Sequence, residues 1–238
     1  MSTKNILVIG AHSADFVWRA AGTIAVMTAQ GGGATVIALS YGERGESGEL
    51  WQTPNQTVEN VKRIRHEEAT SAAEAVGATF RCLDLGDYPL NITTGAMEQL
   101  ITLFHDLQPQ VVLTHTPLDP FNPDHPVASQ AVQKARLLAS GAGVASAFKR
   151  IIPPDLYFFE PHQPELCEFA PNTFVDITPV MEQKVKAMQA MQAQGYLQDY
   201  YTELASRRGN HARRIAGTSE VKYAEAFQRT LPWVVKNL

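Results

Sequence analysis

The chain has 238 residues, of which 45% are hydrophobic and 18% charged, with a formal net charge of −4. These values are ordinary for a globular protein with a real core, and the length fits one large α/β domain or two small ones. The acidic balance excludes a basic nucleic-acid-binding protein but leaves room for a basic pocket that takes an anionic substrate. Cys82 and Cys167 are far apart and form no CxxC pair. This argues against both a disulfide scaffold and a cysteine zinc site.

The first apolar segment of the chain is short. Residues 6–9 have the length of a β-strand and are too few for the core of a signal peptide or for a membrane span. We therefore expect a cytoplasmic protein without a membrane partner.

Strand and helix patterns alternate along residues 6–139. Apolar runs predict strands, and apolar residues at helical spacing predict helices. The strands are expected at 6–10, 35–40, 79–85 and 111–114, and the helices at 16–30, 57–76, 95–107 and 126–139. This order predicts an α/β fold, with a Rossmann-like, mostly parallel sheet that carries helices on both faces.

The last third of the chain is less regular. Its patterns predict strands at 156–160 and 173–177 and helices at 179–194, 195–208 and 219–231. We find neither an internal repeat nor a linker. The prediction is one domain over residues 1–238, with the C-terminal helices from about residue 179 packed on it.

Three unusual polar loops follow the first, second and fourth predicted strands, at residues 11–15, 41–55 and 115–125. Ligands of open parallel sheets bind outside the carboxyl ends of the strands. The three loops are therefore expected to meet at one crevice. A dinucleotide site is excluded there, because the first loop lacks the second and third glycines of the fingerprint.

Two of these loops carry metal-binding side chains, namely His12, Asp15 and His125. Imidazole nitrogen and carboxylate oxygen suit zinc, and three protein ligands leave a position open for water or substrate. Two alternatives stay open: the histidines as hydrogen-bonded loop residues, and Asp15 as the cap of the helix that follows. Asp124 is either a hydrogen-bond partner of a ligand or the N-cap of the following helix.

The two motifs together resemble those of the LmbE-like/PIG-L family of zinc deacetylases. Ala-His-Ser-Ala-Asp at 11–15 is similar to that family's Ala-His-Pro-Asp-Asp, and Asn-Pro-Asp-His at 122–125 is similar to its His-Pro-Asp-His. The resemblance covers most of residues 5–130. It implies the family fold and one divalent metal ion per chain, zinc, held by His12, Asp15 and His125. The same ligand types also admit manganese, iron or cobalt.

The chain departs from the deacetylase pattern at two catalytic positions. Ala14 stands where the family has the general base, and Asn122 where it has the histidine that stabilises the oxyanion. General base catalysis contributes about 10²–10⁴-fold to a rate, and one oxyanion donor about 10²–10³-fold. The departures therefore argue against efficient amide hydrolysis and for other chemistry at the same metal.

The segments 11–19 and 41–51 resemble a branch of this family that consists of zinc-dependent hydratases of gallate degradation. This resemblance implies addition of water to an unsaturated keto acid that carries several carboxylates. The reaction needs a proton carrier, for which Glu46 is favoured over Glu43 and Glu49 because Gly45 and Gly48 flank it. Asn122 and Asp124 are further catalytic candidates.

Several cations could hold the substrate carboxylates, since guanidinium pairs with carboxylate in a bidentate way. The substrate-binding candidates are Arg44, Arg63, Arg65, His211 and Arg214. Arg63 and Arg65 could equally form ion pairs on a helix surface. His211 and Arg214 belong to a basic cluster that could instead be a subunit contact or a solvated face.

Three functions are therefore compared. The first is a metal-dependent hydratase for a small polycarboxylate keto acid, and the second is a deacetylase with a substitute base. The third is a metal- or anion-binding protein without catalysis. Ala14 and Asn122 argue against the second, and the Glu- and Arg-rich second loop argues against the third. We also expect a homo-oligomer, as is common for such folds.

Overall fold

A seven-stranded β-sheet forms the centre of the computed structural model, which describes residues 4–144 and 151–234. The strands lie in the order β3-β2-β1-β4-β5-β7-β6. Strands β1 to β5 pair in parallel, whereas β7 pairs antiparallel with both β5 and β6. Their bounds are β1 Ile6–Gly10, β2 Ala34–Ala38, β3 Thr79–Cys82, β4 Val111–Thr114, β5 Asp155–Phe159, β6 Thr173–Asp176 and β7 Ala224–Arg229.

Helices cover both faces of this sheet. They are α1 Asp15–Ala29, α2 Val58–Ala75, α3 Thr94–Leu107, α4 Asp124–Leu138, α5 Met181–Ala190 and α6 Gln198–Ala216. Alternate residues of β1 belong to different apolar clusters: Ile6 and Val8 pack with α1, α2 and α5, whereas Leu7 and Ile9 pack with α3 and α4. This alternation is what a strand buried on both faces requires. None of the described helices is both long and apolar enough to span a membrane.

The predicted α/β class and the mostly parallel sheet are confirmed. The helix predicted at 219–231 is wrong, because this segment contains strand β7. Its alanines and glutamate favour a helix locally, but the strand fills the gap between β5 and β6 and pairs on both sides. Tertiary pairing thus outweighs local preference.

The C-terminal helices differ in extent from the prediction. α5 ends at Ala190, a 3₁₀ segment follows at Gln192–Leu197, and α6 continues to Ala216. Gly217 ends α6 in the left-handed conformation, with φ of 64°. The long α6 packs against β6 and β7, so the antiparallel edge of the sheet is covered on this side.

Candidate metal centre

Four side chains meet at the carboxyl end of the parallel strands. The loop after β1 supplies His12 and leads to Asp15 at the first position of α1. The loop after β2 supplies Glu46, and the first turn of α4 supplies His125. The three loops therefore converge as the topology predicts, and their metal-ligating atoms lie within 4.8 Å of one another.

The spacing of these atoms fits one metal ion. His12 Nδ1 lies 3.7 Å from Asp15 Oδ2, and His125 Nε2 lies 3.6 Å from Asp15 Oδ1. Glu46 Oε1 lies 3.1 Å from His12 Nδ1 and 3.7 Å from His125 Nε2. A tetrahedral zinc ion with bonds of about 2.0–2.1 Å separates its ligand atoms by about 3.3–3.4 Å. The observed separations lie around this value.

The inward nitrogens of both histidines are unsatisfied. His12 Nδ1 and His125 Nε2 are buried and make no hydrogen bond within the described residues. Their outward nitrogens are held by carboxylates: His12 Nε2 lies 3.3 Å from Asp124, and His125 Nδ1 lies 2.7 Å from Asp119. A carboxylate behind an imidazole fixes the tautomer that turns a lone pair toward a metal. Both orphaned nitrogens thus face the same cluster with the correct chemistry for ligation.

Asp15 is held from several sides. Its Oδ2 accepts a hydrogen bond from the His12 backbone N–H at 2.7 Å and lies 2.9 Å from His115 Nε2. Its Oδ1 accepts a hydrogen bond from Arg19 Nη1 at 2.8 Å. A β-carbon at Gly10 would lie 2.8 Å from the β-carbon of Asp15, so this close packing requires glycine. The carboxylate is therefore fixed before any ligand binds.

The electrostatics of the cluster favour anionic carboxylates. Burial by itself would raise the pKa of Asp15, but His115 and His125 hold that pKa below its ordinary value. Burial would likewise raise the pKa of Glu46, and His12 and His125 outweigh it. Two buried carboxylates beside two imidazoles form a donor set that a divalent cation would neutralise.

The structure places the remaining predicted catalytic residues around this cluster. Asn122 Nδ2 donates a hydrogen bond to Glu46 Oε1 at 3.2 Å. Asp124 accepts hydrogen bonds from the backbone N–H groups of Tyr88 and Leu90 as well as facing His12. Asp124 therefore supports a histidine and a neighbouring loop, and the N-cap position of α4 is taken by Pro123.

Ala14 is fully buried and belongs to the apolar core beside α1. A methyl group neither accepts a proton nor orients water. Glu46 is the carboxylate that approaches both orphaned imidazole nitrogens, and its side chain keeps 14% exposure. The second loop thus supplies a carboxylate beside the two histidines, in addition to Asp15.

A cavity of about 270 Å³ opens beside the cluster. Its wall includes Glu46, Asn122, His125 and His162. Sequence reasoning missed His162, because it follows β5 as an isolated histidine without a motif. Burial and the nearby Arg19 lower the pKa of His162, which keeps its imidazole neutral near pH 7.

None of the five predicted carboxylate-binding cations lines this cavity. The Arg44 side chain is exposed, and Arg63 forms an exposed ion pair with Glu67. Arg65 is buried but bonds to Glu68 and to the Gln194 side chain. His211 and Arg214 are exposed on α6. The structure therefore brings none of these five cations, Arg44, Arg63, Arg65, His211 and Arg214, into the cavity wall.

The family model described as PIG-L, GlcNAc-PI de-N-acetylase, matches residues 7–136, which is more than half of the chain. The chain belongs to the PIG-L family. The matched region contains both loops that supply His12, Asp15 and His125. The resemblance found in the sequence motifs is thereby confirmed.

Three relatives place the chain within the PIG-L family. It is 44% identical over 238 residues to 4-oxalmesaconate hydratase of Pseudomonas putida, covering 99% of this chain and 92% of the relative. The crystal structure of GalB, the 4-carboxy-2-hydroxymuconate hydratase of Pseudomonas putida, has a TM-score of 0.96, 45% identity and 99% coverage of both chains. Diacetylchitobiose deacetylase of Thermococcus kodakarensis is 29% identical over 199 residues, which cover 80% of this chain and 70% of the relative.

Proposed function

We propose that this PIG-L protein is a metal-dependent hydratase of aromatic (gallate) degradation in the cytoplasm. It adds water to the carbon–carbon double bond of 4-oxalomesaconate, or of its enol form 4-carboxy-2-hydroxymuconate, and gives 4-carboxy-4-hydroxy-2-oxoadipate. The observation that carries the proposal is the nearly full-length similarity to a hydratase in sequence, at 44% identity, and to a hydratase crystal structure, at 45% identity, both from Pseudomonas putida. The centre agrees with it, since it keeps a metal-ligand set but has Ala14 in place of a general base.

We propose zinc as the metal. The orphaned nitrogens of His12 and His125, together with Asp15, are a donor set that zinc prefers. When bound there, zinc would act as a Lewis acid that polarises a substrate oxygen or a water molecule. Glu46 is either a fourth ligand of the metal or a neighbour that does not bind it. We assign it as a neighbour, because Asn122 Nδ2 already donates a hydrogen bond to Glu46 Oε1.

The residues of the cavity account for the proton movements. Hydration forms a carbon–oxygen bond at one alkene carbon and a carbon–hydrogen bond at the neighbouring carbon, so one proton leaves water and one is delivered. Glu46 is anionic and takes the proton from the attacking water. Asn122 orients the Glu46 carboxylate by its hydrogen bond. The proton that Glu46 takes up can then pass through the imidazole of His162, which lies in the same wall, to the neighbouring carbon.

A second function is a deacetylase, favoured by the metal-ligand geometry and by the deacetylase relative at 29% identity. Against it stand Ala14 and Asn122, which replace the groups that serve amide hydrolysis in the motif of the family. Replacing Ala14 with Asp separates the two functions. If the variant gains amide hydrolysis and the wild type had no hydratase activity to lose, the deacetylase function is favoured.

The experiment that tests the proposal is incubation of the substrate with zinc-loaded protein in ¹⁸O-labelled water, followed by mass spectrometry. We expect a product heavier than the substrate by one molecule of labelled water. Formation of this product should stop on chelation and return with zinc. Absence of water addition in a sample that holds one zinc ion per chain would remove the hydratase function and leave the metal centre in place.

A further inference from the structure

Arg19 occupies a position that none of the predicted carboxylate-binding cations reaches. It lies on α1, one turn after Asp15, and its side chain is only 7% exposed. The side chain lines the same cavity as Glu46, His125 and His162. Among the residues that the structure describes, it is the one arginine or lysine in that wall.

The guanidinium group of Arg19 has hydrogen-bond donors that the protein does not use, although its carbon lies 5.8 Å from the centroid of the Phe159 ring. A guanidinium has five N–H donors in a planar fork. Its Nη1 donates to Asp15 Oδ1 at 2.8 Å, whereas Nε is buried without an acceptor. Within residues 4–144 and 151–234, no side chain or backbone oxygen accepts a hydrogen bond from Nη2. The edge formed by Nε and Nη2 is the one that pairs with a carboxylate in a bidentate way.

The charge of Arg19 also lacks a full partner. Within the described part of the chain, its one ion pair is with Asp15, whose carboxylate belongs to the metal-ligand cluster. A divalent ion bound there would share the negative charge of the Asp15 carboxylate with Arg19. The rest of the wall adds the carboxylates of Glu46 and Asp119, which would repel an anionic substrate. Arg19 is the side chain of this wall whose positive charge can offset that repulsion.

We propose that Arg19 binds a carboxylate of the substrate and selects for polycarboxylates; this rests on the proposed function. A substrate with three carboxylates can direct one end to the metal centre and another to the free edge of the guanidinium. The Nη1 bond to Asp15 fixes the distance between these two anchors, because both start from the same carboxylate. Arg19 is thus a binding residue that determines specificity.

The test measures binding rather than turnover. Calorimetry with zinc-loaded protein compares tricarballylate, which has three carboxylates, with glutarate, which lacks the central one. We expect Arg19→Met to weaken tricarballylate binding by about 10- to 100-fold, as for loss of a charge-assisted bidentate contact. The preference for tricarballylate over glutarate should shrink with it. Arg19→Lys keeps the charge but not the fork, and should bind with intermediate affinity.

Arg63→Met is the matched control, because it removes an exposed arginine outside the cavity and should bind tricarballylate like the wild type. Unchanged binding in Arg19→Met, or no tricarballylate binding by the wild type, would overturn the proposal. If both Arg19 variants lose zinc, the arginine serves only to hold Asp15 and the proposal is equally overturned. Arg19-dependent binding without any hydration would refute the proposed function alone.

Discussion

Replacement of Asp119 by asparagine should weaken metal binding far more than the loss of one charge near the surface would. Asp119 uses both carboxylate oxygens as acceptors. Oδ2 lies 2.7 Å from His125 Nδ1, and Oδ1 accepts hydrogen bonds from the backbone N–H groups of Phe121 and Asn122. An asparagine has only one acceptor oxygen and presents an NH₂ group on its other side. The variant must therefore misplace one of these contacts.

Either arrangement of the asparagine harms the centre. If the NH₂ group faces His125 Nδ1, that nitrogen must accept, and the proton moves to Nε2, where it blocks the metal. If the NH₂ group faces the two backbone N–H groups, the turn before α4 loses both hydrogen bonds. Loss of a carboxylate behind a metal-binding histidine costs about 10- to 100-fold in metal affinity or activity, which is about 1.4–2.7 kcal/mol.

The assay is competition for zinc between the protein and a chromophoric chelator at fixed pH. Asp106→Asn provides the control, since Asp106 is exposed on α3 and is not part of the cavity wall. We expect a rise of about 10- to 100-fold in the zinc dissociation constant for the Asp119 variant, because His125 loses the carboxylate that orients it. The control variant should show no rise. Equal zinc affinity in both variants would refute the idea that Asp119 sets the tautomer of His125.

Three further variants test other parts of the structure. Glu46→Gln should lower kcat by about 10²–10⁴-fold while keeping one zinc ion per chain; loss of zinc would instead make Glu46 a ligand. Lys184→Met should lower the free energy of unfolding in urea by about 3–5 kcal/mol, because it removes the ammonium group that lies 2.6 Å from the buried Glu225 carboxylate. The backbone N–H groups of Gly22 and Thr23 still donate to this carboxylate but carry no full charge. Combination with Glu225→Gln should recover part of this loss, and strict additivity would speak against a coupled pair. Gly209→Ala should cost about 1–3 kcal/mol, since its β-carbon would lie 2.1 Å from the Lys222 carbonyl oxygen; unchanged thermal unfolding would show that α6 can shift.

Much of the centre could be predicted because its residues follow strands in sequence. Strand β1 is a continuous apolar run and helix α1 has apolar residues at helical spacing, and the junction between them carries His12 and Asp15. Parallel topology then brings the loops with Glu46 and His125 to the same edge of the sheet. These predictions depend on short-range patterns and on one general rule of sheet architecture.

The missed features depend on long-range contacts. Strand β7 reads as a helix on its own and becomes a strand because β5 and β6 leave a gap for it. Arg65 belongs to a charged helical pattern that is typical of a surface, yet its side chain is buried against Gln194 from a distant segment. Arg19 appears within an apolar helix, and only the folded chain shows that it borders the cavity. The expected homo-oligomer and the assignment of residues 1–238 to one domain stay predictions.

The central claim is that the metal held by His12, Asp15 and His125 serves water addition rather than amide hydrolysis. Its most direct test gives one zinc-loaded preparation both substrates, 4-oxalomesaconate and an N-acetylated glucosamine, and measures both turnover rates. We expect loss of the ultraviolet absorbance of the keto acid, no release of acetate, and no turnover in His125→Ala. Release of acetate without hydration by the wild type would contradict it.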